Sequence, residues 1–142
     1  MSLKASPAAL GAASLLLGAA TVLGFAPFGF SPLPILTLAV LFGLWRGAPS
    51  ARAAAGLGFA FGLGVFGGGF SWIYVALATF GGMPAPLAAL ATLMLCAYLA
   101  LFPAATGWLC ARLAQRGTGE RLALAAACWT IMEWLRSWFL SG

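Results

Sequence analysis

The sequence predicts an all-α, polytopic transmembrane helix bundle. Of its 142 residues, 63% are hydrophobic and only 6% are charged, and the mean hydropathy is +1.05. Soluble domains carry about 25% charged residues, so this composition argues strongly against a water-soluble globule. The net charge of +5 comes from seven Lys and Arg against two acidic residues, scattered over short segments. This distribution favours contact with lipid headgroups over nucleic acid binding.

Charged residues, prolines and glycines divide the chain into five apolar runs. A helix needs about 20 apolar residues to cross a bilayer, with about 17–25 the usual range. The second run is short for a span, while the fourth is long and contains Pro103, which predicts a kink. The runs cover residues 8–25, 33–45, 53–77, 85–111 and 122–140.

The first two runs are predicted to form a short helical hairpin. Pro32 and Pro34 precede or open the second run. Proline disfavours the interior of a helix but fits its first turn. We therefore expect a tight turn at residues 26–32, followed at once by the second helix.

The first run also has features of a secretory signal peptide, because Lys4 precedes an apolar stretch at residues 10–23. However, Ala26-Pro27 is a poor context for cleavage, and four further apolar runs follow. An uncleaved first helix is therefore the preferred interpretation.

The positive charges predict the orientation. Lys4 precedes the first run, and Arg46 and Arg52 separate the second from the third. The turns at residues 26–32 and 79–84 carry no charge. Cytoplasmic loops collect Lys and Arg, so about five spans with a cytoplasmic amino terminus would place every charged loop on one side. The arginines that separate the fourth run from the fifth are Arg112, Arg116 and Arg121.

Glycines in the third run suggest helix packing. Residues 62–67 match the dinucleotide fingerprint G-x-G-x-x-G, which also requires a preceding strand and an acidic residue about 20 positions later. Position 87 is Leu and the flanks are apolar helix, so the match is accidental. Two glycine pairs instead have the spacing that lets helices approach closely. They are Gly58 with Gly62 and Gly64 with Gly68, and Gly67–Gly69 add flexibility beyond them.

The three cysteines, Cys96, Cys110 and Cys128, are predicted to be small buried hydrophobes. The sequence contains no His and no Cys-x-x-Cys. A zinc site needs four N, S or O ligands, and a reactive thiolate needs a base or a positive neighbour. We therefore expect no catalytic residue, no metal site and no cofactor in this chain.

The fifth run contains two opposite charges, Glu133 and Arg136. An ionisable side chain near a bilayer centre costs about 2.5–3.5 kcal/mol on insertion scales, so it usually pairs, snorkels or serves a function. Trp129, Met132, Glu133 and Arg136 share one helix face, which makes an ion pair sterically available. At about 1.5 Å per residue, both charges lie in the outer half of the run.

Two interpretations of these charges stay open. In the first, they form a structural ion pair, and Arg136 snorkels outward beside an aromatic belt that includes Trp134 and Trp138. In the second, they form a headgroup site, in which Arg136 binds a lipid phosphate and Glu133 holds Arg136 in place.

Three patches together give the chain a family resemblance. They are Gly24-Phe25-Ala26-Pro27-Phe28-Gly29-Phe30, Gly69-Phe70-Ser71-Trp72-Ile73-Tyr74-Val75, and Glu133-Trp134-Leu135-Arg136 with Ser141-Gly142. In this order and spacing the chain resembles the apolipoprotein N-acyltransferases, bacterial inner-membrane enzymes of lipoprotein maturation.

The resemblance implies a larger helical membrane domain that carries a periplasmic nitrilase-like domain with a Glu-Lys-Cys triad. The Cys takes an acyl chain from phospholipid and passes it to the α-amino group of the diacylglyceryl-cysteine of a lipoprotein. The sequence stops at Gly142, and no triad residue can be assigned in it. We therefore expect residues 1–142 to be an amino-terminal fragment of the transmembrane domain, inactive alone.

Under this resemblance, the outer ends of the third and fifth helices are predicted to line the entrance for phospholipid and lipoprotein. Their amphipathic aromatics lie at interfacial depth. A small transporter subunit stays open as an alternative, although it would need polar groups along a midplane path. A non-catalytic membrane partner that assembles through its glycine faces also stays open. The candidate substrate-binding residues are Trp72, Tyr74, Glu133, Trp134 and Arg136.

Overall fold

The computed structural model describes residues 6–113 and 118–141, which form six α-helices and no strand. This confirms the all-α prediction. Lys4, Arg116 and Gly142 lie outside the described residues, as does the side chain of Arg121. The helices are α1 (Pro7–Thr21), α2 (Pro32–Gly47), α3 (Ala51–Gly69), α4 (Ser71–Val75), α5 (Ala85–Leu113) and α6 (Thr118–Ser141), with a 3-10 turn at Val22–Gly24 and a π-helical turn at Ala76–Phe80.

The first two helices form the predicted hairpin. The Ser6 hydroxyl accepts a hydrogen bond from the Ala9 amide at 3.2 Å and caps α1. α2 begins at Pro32, where a missing N–H removes no helical hydrogen bond. Inside the hairpin the Thr21 hydroxyl donates to the Thr37 hydroxyl at 2.8 Å. The buried Thr pair therefore ties the end of α1 to the start of α2.

The third apolar run is divided in two. α3 ends at Gly69, and Phe70, with φ −107° and ψ 12°, separates it from α4. Consecutive glycines have low helix propensity and present no side chains for packing, so Gly67–Gly69 weaken the helix at this point. The apolar pattern predicts a single helix over residues 53–77, and this prediction is therefore wrong.

Three segments are long and apolar enough to cross a membrane, judged by length and composition: Pro7–Gly24, Ala51–Gly69 and Ala85–Leu113. α2 has 16 residues, or about 24 Å, which is less than the about 30 Å of a hydrocarbon core. α6 has 24 residues but carries Glu133 and Arg136. The five spans and the cytoplasmic amino terminus stay predictions, as does the kink at Pro103, which lies inside α5.

α3 is the central helix, packed along α5 on one side and along α1 on the other. A Cβ atom on Gly62 would lie 2.8 Å from the Ala100 Cα of α5, and one on Gly64 would meet the Leu15 carbonyl of α1. Gly58 likewise faces Pro103 and Gly68 faces Val22. The predicted close packing through both glycine pairs is therefore confirmed.

The remaining contacts close the helices into a ring. α5 packs against α6, α6 contacts α2, and α2 contacts α1; α2 also contacts α3 and α5. α3 and α6 face each other across the interior, where the Phe61 and Trp129 rings meet with centroids 6.2 Å apart. We call Phe42, Trp45, Phe61 and Trp129 the aromatic plug, since their successive ring contacts, 5.4–6.4 Å between centroids, fill the middle of the ring.

Candidate functional site

The predicted pair of Glu133 and Arg136 forms. The Arg136 Nη2 group donates to Glu133 Oε2 at 2.6 Å, and Nε donates to Oε1 at 3.3 Å. Their spacing of three residues on α6 brings the two side chains together within one helical turn. The side chains are 28% exposed for Arg136 and 37% for Glu133. The pair is therefore partly buried and held by charge-assisted hydrogen bonds.

The pair lies on the wall of a cavity of about 630 Å³ inside the helix ring. Small-molecule sites commonly occupy about 300–1,000 Å³, so this space is large enough for a ligand. Glu133 and Arg136 supply the charged side chains of its lining. The rest is mostly apolar and includes Phe25, Phe28, Leu38, Val65, Phe66 and Trp129.

The cavity occupies the end of the bundle that holds the α1–α2 turn, which we call the outer end. We call this end, which Phe25, Phe28 and Phe70 line, the mouth of the cavity, while Phe61 and Trp129 line it toward the middle of the bundle. Phe25 and Phe28 are exposed. In the predicted orientation the mouth faces the outer leaflet.

Arg136 keeps part of its hydrogen-bonding capacity. Two N–H groups are directed to Glu133, and a guanidinium carries further donors in a planar fork that suits phosphate and carboxylate. The guanidinium carbon lies 5.5 Å from the centre of the Phe66 ring, within cation–π range. Glu133 and Phe66 thus orient a cation that can still bind an anionic oxygen.

The aromatic members of the predicted site lie outside the cavity. Trp72 and Tyr74 are on α4, where they are 62% and 37% exposed. Trp134 is 58% exposed and packs beside Trp138, with ring centroids 5.7 Å apart. Across the described residues, α4 makes no contact with α6. The structure therefore brings Glu133 and Arg136 together on the cavity wall but leaves these three aromatic side chains outside the cavity lining.

Sequence reasoning missed most of the cavity lining. Phe61 and Phe66 on α3 and Phe25 and Phe28 in the turn were not singled out as site residues, although the turn lies in one of the family patches. The sequence pattern does place Trp129 on the face shared by Glu133 and Arg136, and all three residues line the cavity. This shared helix face is the sequence feature from which part of the cavity lining could be predicted.

The cysteines are free and buried, which confirms the prediction of their burial. Cys110 and Cys128 pack in the cluster that contains Trp45 and Phe61, and Cys96 packs with Phe66. As far as the structure describes the cavity, none of the three lines it.

The fold and the site define an all-α membrane helix bundle with an apolar interior cavity and an ion pair on its wall. Residues 17–142 match the family described as the apolipoprotein N-acyltransferase N-terminal domain. The chain therefore belongs to the apolipoprotein N-acyltransferase family.

Relatives with that name support the assignment. The apolipoprotein N-acyltransferase of Nitrosomonas europaea is 49% identical over 92% of this chain and 26% of its own length. Those of Methylococcus capsulatus and Pseudomonas paraeruginosa are 44% and 45% identical over 83% and 91% of this chain, and 23% and 25% of their own lengths. The chain thus spans about a quarter of the length of these curated relatives.

Proposed function

We propose that this chain is the amino-terminal part of the membrane domain of an enzyme that acylates bacterial lipoproteins. The donor would be a phospholipid, and the acceptor the α-amino group of the diacylglyceryl-cysteine. The name of the relatives supports this reaction class. The enzyme would lie in the bacterial inner membrane as a multi-pass protein. Catalytic residues would lie outside residues 1–142, so an assay of the purified chain alone should detect no acyl transfer.

The observation that carries the proposal is the Glu133–Arg136 pair on the cavity wall. Charged side chains in an apolar bundle usually serve a function. A phospholipid has a charged phosphate for the pair and acyl chains for the apolar lining. Arg136 would bind the phosphate, and Glu133 would fix the guanidinium plane so that its free donors point to the ligand. The apolar lining would accept hydrocarbon.

The exposed aromatics would act before the lipid enters. Trp72, Tyr74 and Trp134 are partly or largely exposed, and tryptophan and tyrosine favour the headgroup level of a bilayer. These three residues would be membrane-facing contacts for phospholipid and lipoprotein at the outer end. Glu133 and Arg136 would then act inside the cavity.

The test is Arg136→Ala in the complete enzyme, with mass spectrometry of a diacylglyceryl lipopeptide as the readout. A hydrogen bond to a charged group contributes about 1.5–3 kcal/mol, so acyl transfer should fall about tenfold or more. Arg112→Ala is the matched control, because Arg112 is exposed near Trp108 at the opposite end of the bundle. Equal amounts of protein in the membrane would exclude loss of folding. Normal turnover in Arg136→Ala would make the pair purely structural.

A further inference from the structure

We infer that Phe61 and Trp129 form an end stop that limits the length of a phospholipid acyl chain bound in the cavity. The inference rests on the proposed function for the identity of the substrate. It assigns a specificity role to two residues that are not part of the charged pair. The depth of the cavity, the packing around Phe61 and Trp129 and the chemistry of the lining each support this role.

The cavity is shallower than a lipid leaflet. Trp129 precedes Arg136 by two helical turns on α6. At about 1.5 Å per residue, the end stop lies about 10 Å below the guanidinium-bearing turn. Half of the hydrocarbon core of a bilayer is about 15 Å. A straight chain whose headgroup stays at Arg136 therefore reaches the end stop before it spans the leaflet, so the site senses chain length.

The end stop is well supported. Phe61 is only 2% exposed and meets Trp129 edge to face, with an interplanar angle of 77°. On its other side, Trp129 contacts Phe42 and Trp45, with ring centroids 6.2 Å and 6.4 Å away. Closely packed aromatic clusters yield little space without rearrangement. The end of an acyl chain that enters from the outer end therefore meets aromatic rings that are packed against other rings behind them.

The lining favours a hydrocarbon chain as the occupant. Leu38, Val65 and Phe66 offer a water molecule few hydrogen-bond partners, and a buried water normally makes about three. Both charges lie on α6, about one and two helical turns beyond Trp129 toward the outer end. This polarity along the cavity matches a phospholipid, with a polar headgroup at one end and an acyl chain below it.

The test is photo-crosslinking of this chain reconstituted in phosphatidylcholine vesicles. Two phosphatidylethanolamine probes carry a diazirine at the end of the acyl chain. One acyl chain is short enough to fit within the about 10 Å between the Arg136 turn and the end stop, and the other is longer. Mass spectrometry locates the labelled residues. The short probe should label Phe61, Val65 and Trp129. The long probe should label mainly the outward-facing Leu16 and Leu101, which are exposed on the helix surfaces.

Two substitutions should move the limit in opposite directions. Phe61→Ala removes part of the end stop, so interior labelling by the long probe should rise several-fold. Val65→Phe fills the cavity and should suppress interior labelling by the short probe. Phe80→Ala is the matched control, because Phe80 is exposed and does not line the cavity.

Labelling by both probes only at outward-facing residues would overturn the inference. An interior pattern that ignores chain length in the wild type and in Val65→Phe would also overturn it. Val65→Phe keeps the test decisive if Phe61→Ala does not fold. Crosslinking requires no acyl transfer, so its failure is distinct from normal turnover in Arg136→Ala, which would count against the proposed function alone.

Discussion

Glu133 and Arg136 pair with each other in the predominantly apolar part of α6 that follows Arg121. Two hydrogen bonds join them, and each side chain is only about one third exposed. An ionic group in such surroundings is stable mainly because its partner is present, whereas an unpaired charge has lost water without compensation. The pair can therefore be kept for function without a large loss of stability.

This mutual dependence predicts the outcome of a double-mutant cycle. Glu133→Gln or Arg136→Met alone should each lower the free energy of unfolding by about 1–3 kcal/mol, because one charged group loses its partner. The combined variant should be less destabilised than the sum of the two. Thermal unfolding in detergent would measure the three differences. Strictly additive losses would show that the two side chains are energetically independent.

The charged pair was predictable from the sequence, but the cavity beside it was not. A separation of three residues on one helix fixes the geometry of Glu133 and Arg136 locally. Phe61 and Trp129, in contrast, are far apart in sequence, and they meet only because α3 and α6 face each other across the ring. No periodicity within a single helix reveals which other helix it faces.

At the scale of elements, α3 organises the bundle because it can touch two helices at backbone distance. Gly62 admits α5 and Gly64 admits α1, and these glycines lie on different faces of α3. Their spacing made the packing predictable. The end of α3 was harder to predict, because apolar residues continue through Phe70 while the helix does not. Hydrophobicity locates membrane-compatible sequence but does not by itself locate helix ends.

Two glycine substitutions on α3 should have opposite effects. Gly64→Ala would place a methyl group against the Leu15 carbonyl, so it should destabilise the bundle by about 1–3 kcal/mol. Gly56→Ala meets no atom within 4 Å and should stabilise it by about 0.5–1 kcal/mol, because alanine is the better helix former. Midpoints of thermal unfolding in one detergent would compare them. Equal shifts in the two variants would argue against a tight α1–α3 contact.

At the scale of the whole molecule, the helix ring is closed in its middle by the aromatic plug and open at the outer end. The arginines outside the charged pair are concentrated at one end of the bundle. Arg46, Arg52 and Arg112 lie at the end opposite the cavity mouth. The positive-inside tendency therefore predicts that the cavity opens toward the outer leaflet. This orientation suits an enzyme that would work at the outer face of the inner membrane.

The orientation predicts which positions reagents can reach in cells. In a background with Cys96, Cys110 and Cys128 changed to Ala, Ser31→Cys should react with a membrane-impermeant maleimide added outside the inner membrane. Gly47→Cys, at the opposite end of α2, should react only after the membrane is permeabilised. Both positions are exposed. The reverse pattern would place the amino terminus outside.

Native mass spectrometry can measure directly whether the cavity holds a phospholipid through Arg136. Native mass spectrometry of the chain released from lipid nanodiscs would count bound phospholipids for the wild type, Arg136→Ala and the control Arg112→Ala. We predict that the wild type and the control retain one phospholipid and that Arg136→Ala loses it at lower activation energy. Equal retention in all three would contradict the assignment of the Glu133–Arg136 cavity as a phospholipid site.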